Sequence, residues 1–171
     1  MYFLLSTPDF TKIELNTTKV KVHLRNGIAV ILDQHLDLLG RVENDMVEIE
    51  TNFENKLEKF LYILQDGVFI VSTKGLDKKS EIKGTHVYVY GRRVREVNQG
   101  LTIEDSAKAY AERNTFFEKE IEILKVKIEQ KAKEDSKVSR SQVLLLNSKA
   151  LLLKEEVEFL RRVVVILKNL K

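Results

Sequence analysis

Three histidines, 26 carboxylates and no cysteine bound the chemistry open to this 171-residue chain. A metal centre needs imidazoles and carboxylates at ligand spacing, and a nucleophile needs a base beside it. His23, His35 and His86 are instead scattered, without a metal-ligand spacing among them. His23 and His86 fall in alternating runs, where they read as solvent-facing strand residues. His35 falls in the loop Asp33–Leu39 and reads as a surface residue. Every glycine is isolated, so no glycine-rich loop exists to cradle a phosphate. The acidic residues are spread over expected helix faces, where charge serves solvation and i,i+4 pairing. Neither an active site, a metal site nor a cofactor is expected, and contact with other proteins becomes the leading reading.

The elements that would carry such contacts divide the chain in two. All seven glycines and the only proline, Pro8, lie before Leu101. Beyond it, Ile103, Ala107, Tyr110, Asn114, Phe117, Ile121, Leu124 and Ile128 alternate four and three apart. After a polar break the pattern resumes at Val143, Leu146, Ala150, Leu153, Val157, Leu160, Val164 and Leu167. That spacing keeps one apolar seam facing a partner helix. The expected fold is α+β: an N-terminal antiparallel β-sandwich over residues 1–100, then a C-terminal antiparallel α-helical hairpin over 101–171.

In the first part, β-branched and aromatic runs alternate with turn signals. The expected strands are Tyr2–Leu5, Lys12–Leu15, Lys19–Leu24, Ile28–Leu32, Met46–Glu50, Lys59–Leu64, Val68–Ser72, His86–Tyr90 and Arg93–Val97. Val20, Val22 and Leu24 share one face, opposite Lys19, Lys21 and His23. Asn26-Gly27 and Asp66-Gly67 each separate apolar runs and predict tight hairpins. The charged stretch Leu76–Lys83 reads as a solvated loop.

In the second part, Thr102 with Asp105 three residues on predicts a helix start just after Gly100. The helices are expected over about 103–130 and 140–170, with Lys131–Ser139 as the turn and Ser139 with Gln142 as a second cap. Each would be on the order of 40 Å long. The second helix has more apolar surface than a hairpin seam uses, in Leu144, Leu145, Leu151, Leu152, Val163, Val165 and Ile166. Three uses are open for it: docking on the β module, self-association, or a face reserved for a partner helix.

Composition narrows the partners. Net charge is +3, with 14 basic and 14 acidic residues up to Gly100 and 15 and 12 after it. No clustered basic footprint appears, so nucleic acid is not an expected partner. The absence of cysteine suits a reducing compartment. No leader pattern and no 18-residue apolar run is present, which predicts a soluble, cytoplasmic protein.

The order of parts resembles the epsilon subunit of bacterial F-type ATP synthases, called delta in mitochondria. Tyr2–Leu5 is similar to the family's first strand. Gly27-Ile28-Ala29-Val30-Ile31-Leu32-Asp33-Gln34-His35-Leu36-Asp37-Leu38-Leu39 resembles its Gly-Glu-Leu-Gly-Ile-Tyr-Pro-Gly-His-Ala-Pro-Leu-Leu stretch. Phe60-Leu61-Tyr62-Ile63-Leu64-Gln65-Asp66-Gly67-Val68-Phe69 resembles its Phe-Ile-Tyr-Leu-Ser-Gly-Gly-Ile-Leu hairpin. Gly100-Leu101-Thr102-Ile103-Glu104-Asp105-Ser106-Ala107 falls where the family enters its first C-terminal helix, often through Ile/Leu-Asp-x-x-Arg-Ala.

The resemblance implies a non-catalytic central-stalk rotor subunit of a diverged F-type-like rotary ATPase, at a membrane face as part of a complex. Its partners would be a gamma-like stalk subunit and a catalytic alpha/beta-type hexamer, with the helices regulating ATP hydrolysis. Gly27, His35, Leu38 and Leu39 keep the family pattern and would form the β-module contact. Asp33, Gln34 and Asp37 replace proline, glycine and proline in that loop, which weakens the case for contact with a standard membrane ring. Glu104 can stand for the family's aspartate, but Ala107 replaces its arginine and Lys108 its alanine. The planar cation that recognises phosphate is thereby lost, so no nucleotide is expected. On the second helix, Leu145, Leu152, Val163 and Ile166 would supply an apolar contact. Arg161, Arg162 and Lys168 would face an acidic segment of the catalytic subunit, or serve only the helix dipole and solubility. The alternative is a free-standing β-sandwich and coiled-coil adaptor that homo-oligomerises.

Overall fold

The structure, a computed structural model, describes residues 1–8, 12–54, 56–74, 84–97, 101–133 and 137–170, with the side chains of 137–139 excluded. The expected loop Leu76–Lys83 and Gly100 lie outside the described residues. The chain divides into two compact units, Met1–Leu101 and Thr102–Lys171, each described by itself below.

The first unit holds β1 (Tyr2–Ser6), β2 (Lys12–Asn16), β3 (Lys19–Leu24), β4 (Gly27–Leu32), β5 (Leu38–Val42), β6 (Met46–Phe53), β7 (Lys56–Ser72) and β8 (His86–Val97). They pair in the order β2-β1-β8-β7-β6-β3-β4, with β5 added on β7. Every pair is antiparallel except β1 with β8, which is parallel. The strands form because alternate residues are apolar: Phe3 and Leu5, Val20 and Val22, Val47 and Ile49 are all buried, their neighbours less so. These side chains meet in one core, so the sheet folds over on itself as a sandwich.

Asp66-Gly67 is not a hairpin. β7 runs through it for 17 residues, pairing with β6 along Lys56–Ile63 and with β5 along Gly67–Val71. Asp66 has a φ of 46°, and the inward face changes phase there. Tyr62 and Leu64 enter the core before it, Phe69 and Val71 after it. A left-handed residue inside a strand re-aims the side chains that follow, so a turn signal has been spent on a bend between the two halves of the sandwich. β8 likewise joins two expected strands into one of 12 residues. β5 was not expected, because Leu38-Leu39-Gly40-Arg41-Val42 lacks alternation. The Asn26-Gly27 hairpin does form, with Arg25-Asn26 as its turn and Gly27 at φ 143° pairing with Leu24.

The second unit is α1 (Ile103–Ala132) and α2 (Lys137–Asn169). The Thr102 hydroxyl caps α1, accepting the Asp105 N–H at 3.0 Å and donating to Asp105 Oδ2 at 2.7 Å. Ala107, Ile121 and Leu124 of α1 are buried, as are Ala150, Val157, Leu160 and Leu167 of α2, all on the heptad register. The helices run antiparallel: Ile103 and Leu167 line one end of the pair, Lys131 and Gln142 the other. Lys131 and Ala132 are still helical, and α2 has begun by Lys137. Residues 131, 132 and 137–139 of the expected turn are thus helical, and Ser139 lies inside α2.

Candidate interaction surfaces

Of the histidines expected at the surface, His23 and His35 are partly exposed and His86 is buried. His23 points outward from β3, but its Nε2 lies 2.7 Å from Glu48 Oε1 on β6. Glu48 also accepts from Lys21 at 3.2 Å, and Glu50 from Lys19 at 3.2 Å, so one sheet face carries a ladder of ion pairs. Burial pushes the Glu48 carboxyl up, yet the bonds from His23 and Lys21 outweigh it and leave the group below its ordinary value. His86 is 1% exposed, stacked at 6.1 Å on Tyr88, with Tyr2 at 5.5 Å. Tyr88 is on the same strand as His86, but Glu48 and Tyr2 arrive from other strands, and nothing near either histidine in the sequence announces them. His35 is partly exposed, as His23 is, its Nδ1 2.7 Å from the Leu36 carbonyl.

The structure gathers part of the expected β-module contact. His35, Leu36, Leu38 and Leu39 follow one another through the β4–β5 loop into β5, with Leu36 82% and Leu39 72% exposed. Gly27 opens β4 at its far end. Two carboxylates pin the loop. Asp33 Oδ1 accepts the Thr85 N–H at 3.1 Å, and Asp37 Oδ1 accepts the Thr73 N–H at 2.8 Å and its hydroxyl at 3.1 Å. These bonds tie the loop to Thr85, just before β8, and to Thr73, just after β7.

On α2, Leu145 is 72% and Leu152 59% exposed, seven residues apart and hence on one face. Leu144 and Leu151 repeat that spacing one position earlier and are also exposed. Val163, grouped with them from the sequence, is fully buried, and Ile166 is half-buried. Arg161 bonds Glu118 of α1 at 2.7 Å, while Arg162 and Lys168 are exposed. An open pocket of about 630 Å³ lies between the start of α1 and the end of α2. Glu104, Ala107, Lys108 and Lys168 line it together with Ile103 and Leu167. Among the described residues that line it are the ammonium groups of Lys108 and Lys168 and no guanidinium. Among the described residues, no group of three metal-ligating side chains is assembled.

No protein-family model matches the chain, and none of the curated proteins does. Among solved structures, a chain of the Euglena gracilis mitochondrial ATP synthase, in a structure of OSCP, F1 and the c-ring, has a TM-score of 0.50 at 14% identity. The match covers 98% of this chain and 78% of that one. The fold is one used in a mitochondrial ATP synthase. A chain of the Tetrahymena thermophila mitochondrial ATP synthase central stalk and c-ring has a TM-score of 0.39 at 14% identity, over 56% of this chain and 65% of that one. No helix among the described residues is long and apolar enough to cross a membrane.

Proposed function

We propose that this chain is a non-catalytic central-stalk subunit of a diverged F-type-like rotary ATPase. It binds a gamma-like stalk subunit through its β-sandwich and restrains ATP hydrolysis through its helices. The observation that carries the reading is the order of parts, a sandwich and then a two-helix hairpin, similar over nearly the whole chain to a component of the Euglena assembly. The exposed Leu36 and Leu39 offer the β module an apolar contact. The hairpin fits a two-state element, because a heptad seam closed on itself in one state can pair with another helix in a second.

The test is recovery of the tagged full chain from native cells, followed by an ATPase assay on the eluate. Co-recovery of catalytic and gamma-like subunits with ATPase activity supports the reading, and truncation after Gly100 should then raise the hydrolysis rate. Recovery of the chain without any ATPase would overturn it.

A further inference from the structure

Among the described residues three strands leave an edge, β2, β4 and β5, and β4 alone of them has no charge in its sequence. β2 and β4 stand at the ends of the strand order. Edge strands ordinarily carry charge, proline or a bulge that prevents other chains from pairing with them. β2 follows that rule: its exposed positions are Lys12, Glu14 and Asn16, and Lys12 forms an ion pair with Glu14. β4, Gly-Ile-Ala-Val-Ile-Leu, has neither charge nor proline. Its outward residues Ile28, Val30 and Leu32 are 55%, 45% and 51% exposed.

The hydrogen-bonding groups of the same residues face outward. Leu24 and Gly27 are the closing pair of the β3–β4 hairpin. In a two-residue hairpin that pair exchanges hydrogen bonds, and every second pair after it does so too. Gly27, Ala29 and Ile31 therefore bond β3, and the N–H groups of Ile28, Val30 and Leu32 point at the free edge. An occupant must be an extended strand without charge along its length. The ends of β4 set its direction, with the exposed Arg25 before the strand and the exposed Asp33 after it.

We propose that a second copy of this chain covers the edge of the free protein, β4 pairing with β4 antiparallel about a two-fold axis at Val30. In that register Val30 faces Val30, and Ile28 faces Leu32 of the second copy. The turn that holds the exposed Arg25 then lies toward the end of the second copy's β4, after which the exposed Asp33 stands, so opposite charges meet at both ends of the pair. The axis stands perpendicular to the sheet, so both apolar rows lie on the same face and join into one strip. Six residues a side is small against the roughly 1,200–2,000 Å² of a stable complex, so the dimer is reversible and concentration-dependent.

Sedimentation of the full chain over a concentration series tests this, together with single cysteines placed in a chain that has none. Opposed residues of a hydrogen-bonded antiparallel pair have Cα atoms about 5.5 Å apart, within reach of a disulfide. Val30→Cys should give a covalent dimer under mild oxidation, and Glu14→Cys on the guarded edge should not. Val30→Lys sets two ammonium groups at the axis and should weaken dimerisation by on the order of tenfold or more, with circular dichroism and melting unchanged. A monomer at every concentration would overturn the proposal. So would equal cross-linking at both cysteines, or dimerisation indifferent to Val30→Lys. Loss of a heterologous complex in Val30→Lys, with no dimer of the parent chain, would assign the edge to a different protein and reject the self-pairing.

Discussion

Asp33 and Thr85, 52 positions apart in the chain, meet at 3.1 Å, where Asp33 Oδ1 accepts the Thr85 N–H. The bond fastens the end of β4 to the start of β8 and so holds the loop that presents His35, Leu36 and Leu39. The N–H groups of Thr85 and then Gln34 hold the Asp33 carboxyl below its ordinary value. Asp33→Ala should speed hydrogen exchange at the Thr85 amide while amides in the β3–β6 ladder keep their protection. Asp33→Asn, which keeps an acceptor oxygen, should restore most of it. Unchanged Thr85 exchange in Asp33→Ala would show that the loop is held by other contacts.

The ladder around Glu48 predicts an acid limb. A carboxyl held below its ordinary value contributes stability that is present above the unfolded value of 4.5 and is lost as pH falls through the folded value. Glu48→Gln should therefore flatten the acid side of the stability curve below about pH 4.5. Urea unfolding at a series of pH values reads this directly. An acid limb of the same steepness in the variant would place its origin elsewhere.

Tyr62 predicts the opposite limb. Burial first, and the nearby Glu96 second, push its phenol up to about 12 from 10.0. The folded state holds the proton longer than the unfolded one, so stability should fall as pH rises from 10 toward 12. Phenolate absorbance, taken as the difference between the parent chain and Tyr62→Phe, should show this one tyrosine ionising late. Ionisation near 10 would contradict its burial.

Gly40 lies opposite Phe69 in the β5–β7 pair, and a Cβ there would overlap the Phe69 ring. That ring is 1% exposed and has nowhere to go. Gly40→Ala should cost about 1–3 kcal/mol, read as a lowered melting temperature. A neutral effect would mean that β5 can lift off the ring, which Leu38 and Leu39 would report through changed exchange.

The hairpin depends on its seam and its cap. Leu160→Ala, at a fully buried seam position, should cost about 2–5 kcal/mol. Thr102→Ala removes the hydroxyl that accepts the Asp105 N–H and should cost about 1 kcal/mol. Thermal melting followed by helical circular dichroism separates the two. A Leu160→Ala effect no larger than that of the cap would mean that the seam is open in solution.

The helical hairpin was legible from the residues alone. Its seam is a local repeat: whichever helix forms, residues four and three apart fall on one side, and Ala107, Ile121, Leu124, Ala150, Val157, Leu160 and Leu167 are buried on it, with Phe159 and Val163 buried off it. The Thr102 cap was legible for the same reason, since both partners sit within three residues. Most strands were legible too, because alternation is also local.

Where partners come from far along the chain, local pattern was insufficient. Asp66-Gly67 has the composition of a hairpin turn, but β5 and β6 on one side of β7 and β8 on the other hold it in one long strand. His23 and His86 have nothing beside them in sequence that predicts an ion pair or burial. Glu48 and Tyr2 reach them only once the sheet is assembled. On α2 the heptad register does separate the apolar residues: Val163, three after Leu160 and four before Leu167, flanks the seam and is fully buried, while Leu144, Leu145, Leu151 and Leu152 lie on the far side of the helix and stay exposed. The sequence by itself determined which surfaces are apolar, because that is a property of the residues. Only the tertiary structure decided which of those surfaces are covered, because burial depends on what the rest of the chain brings against them.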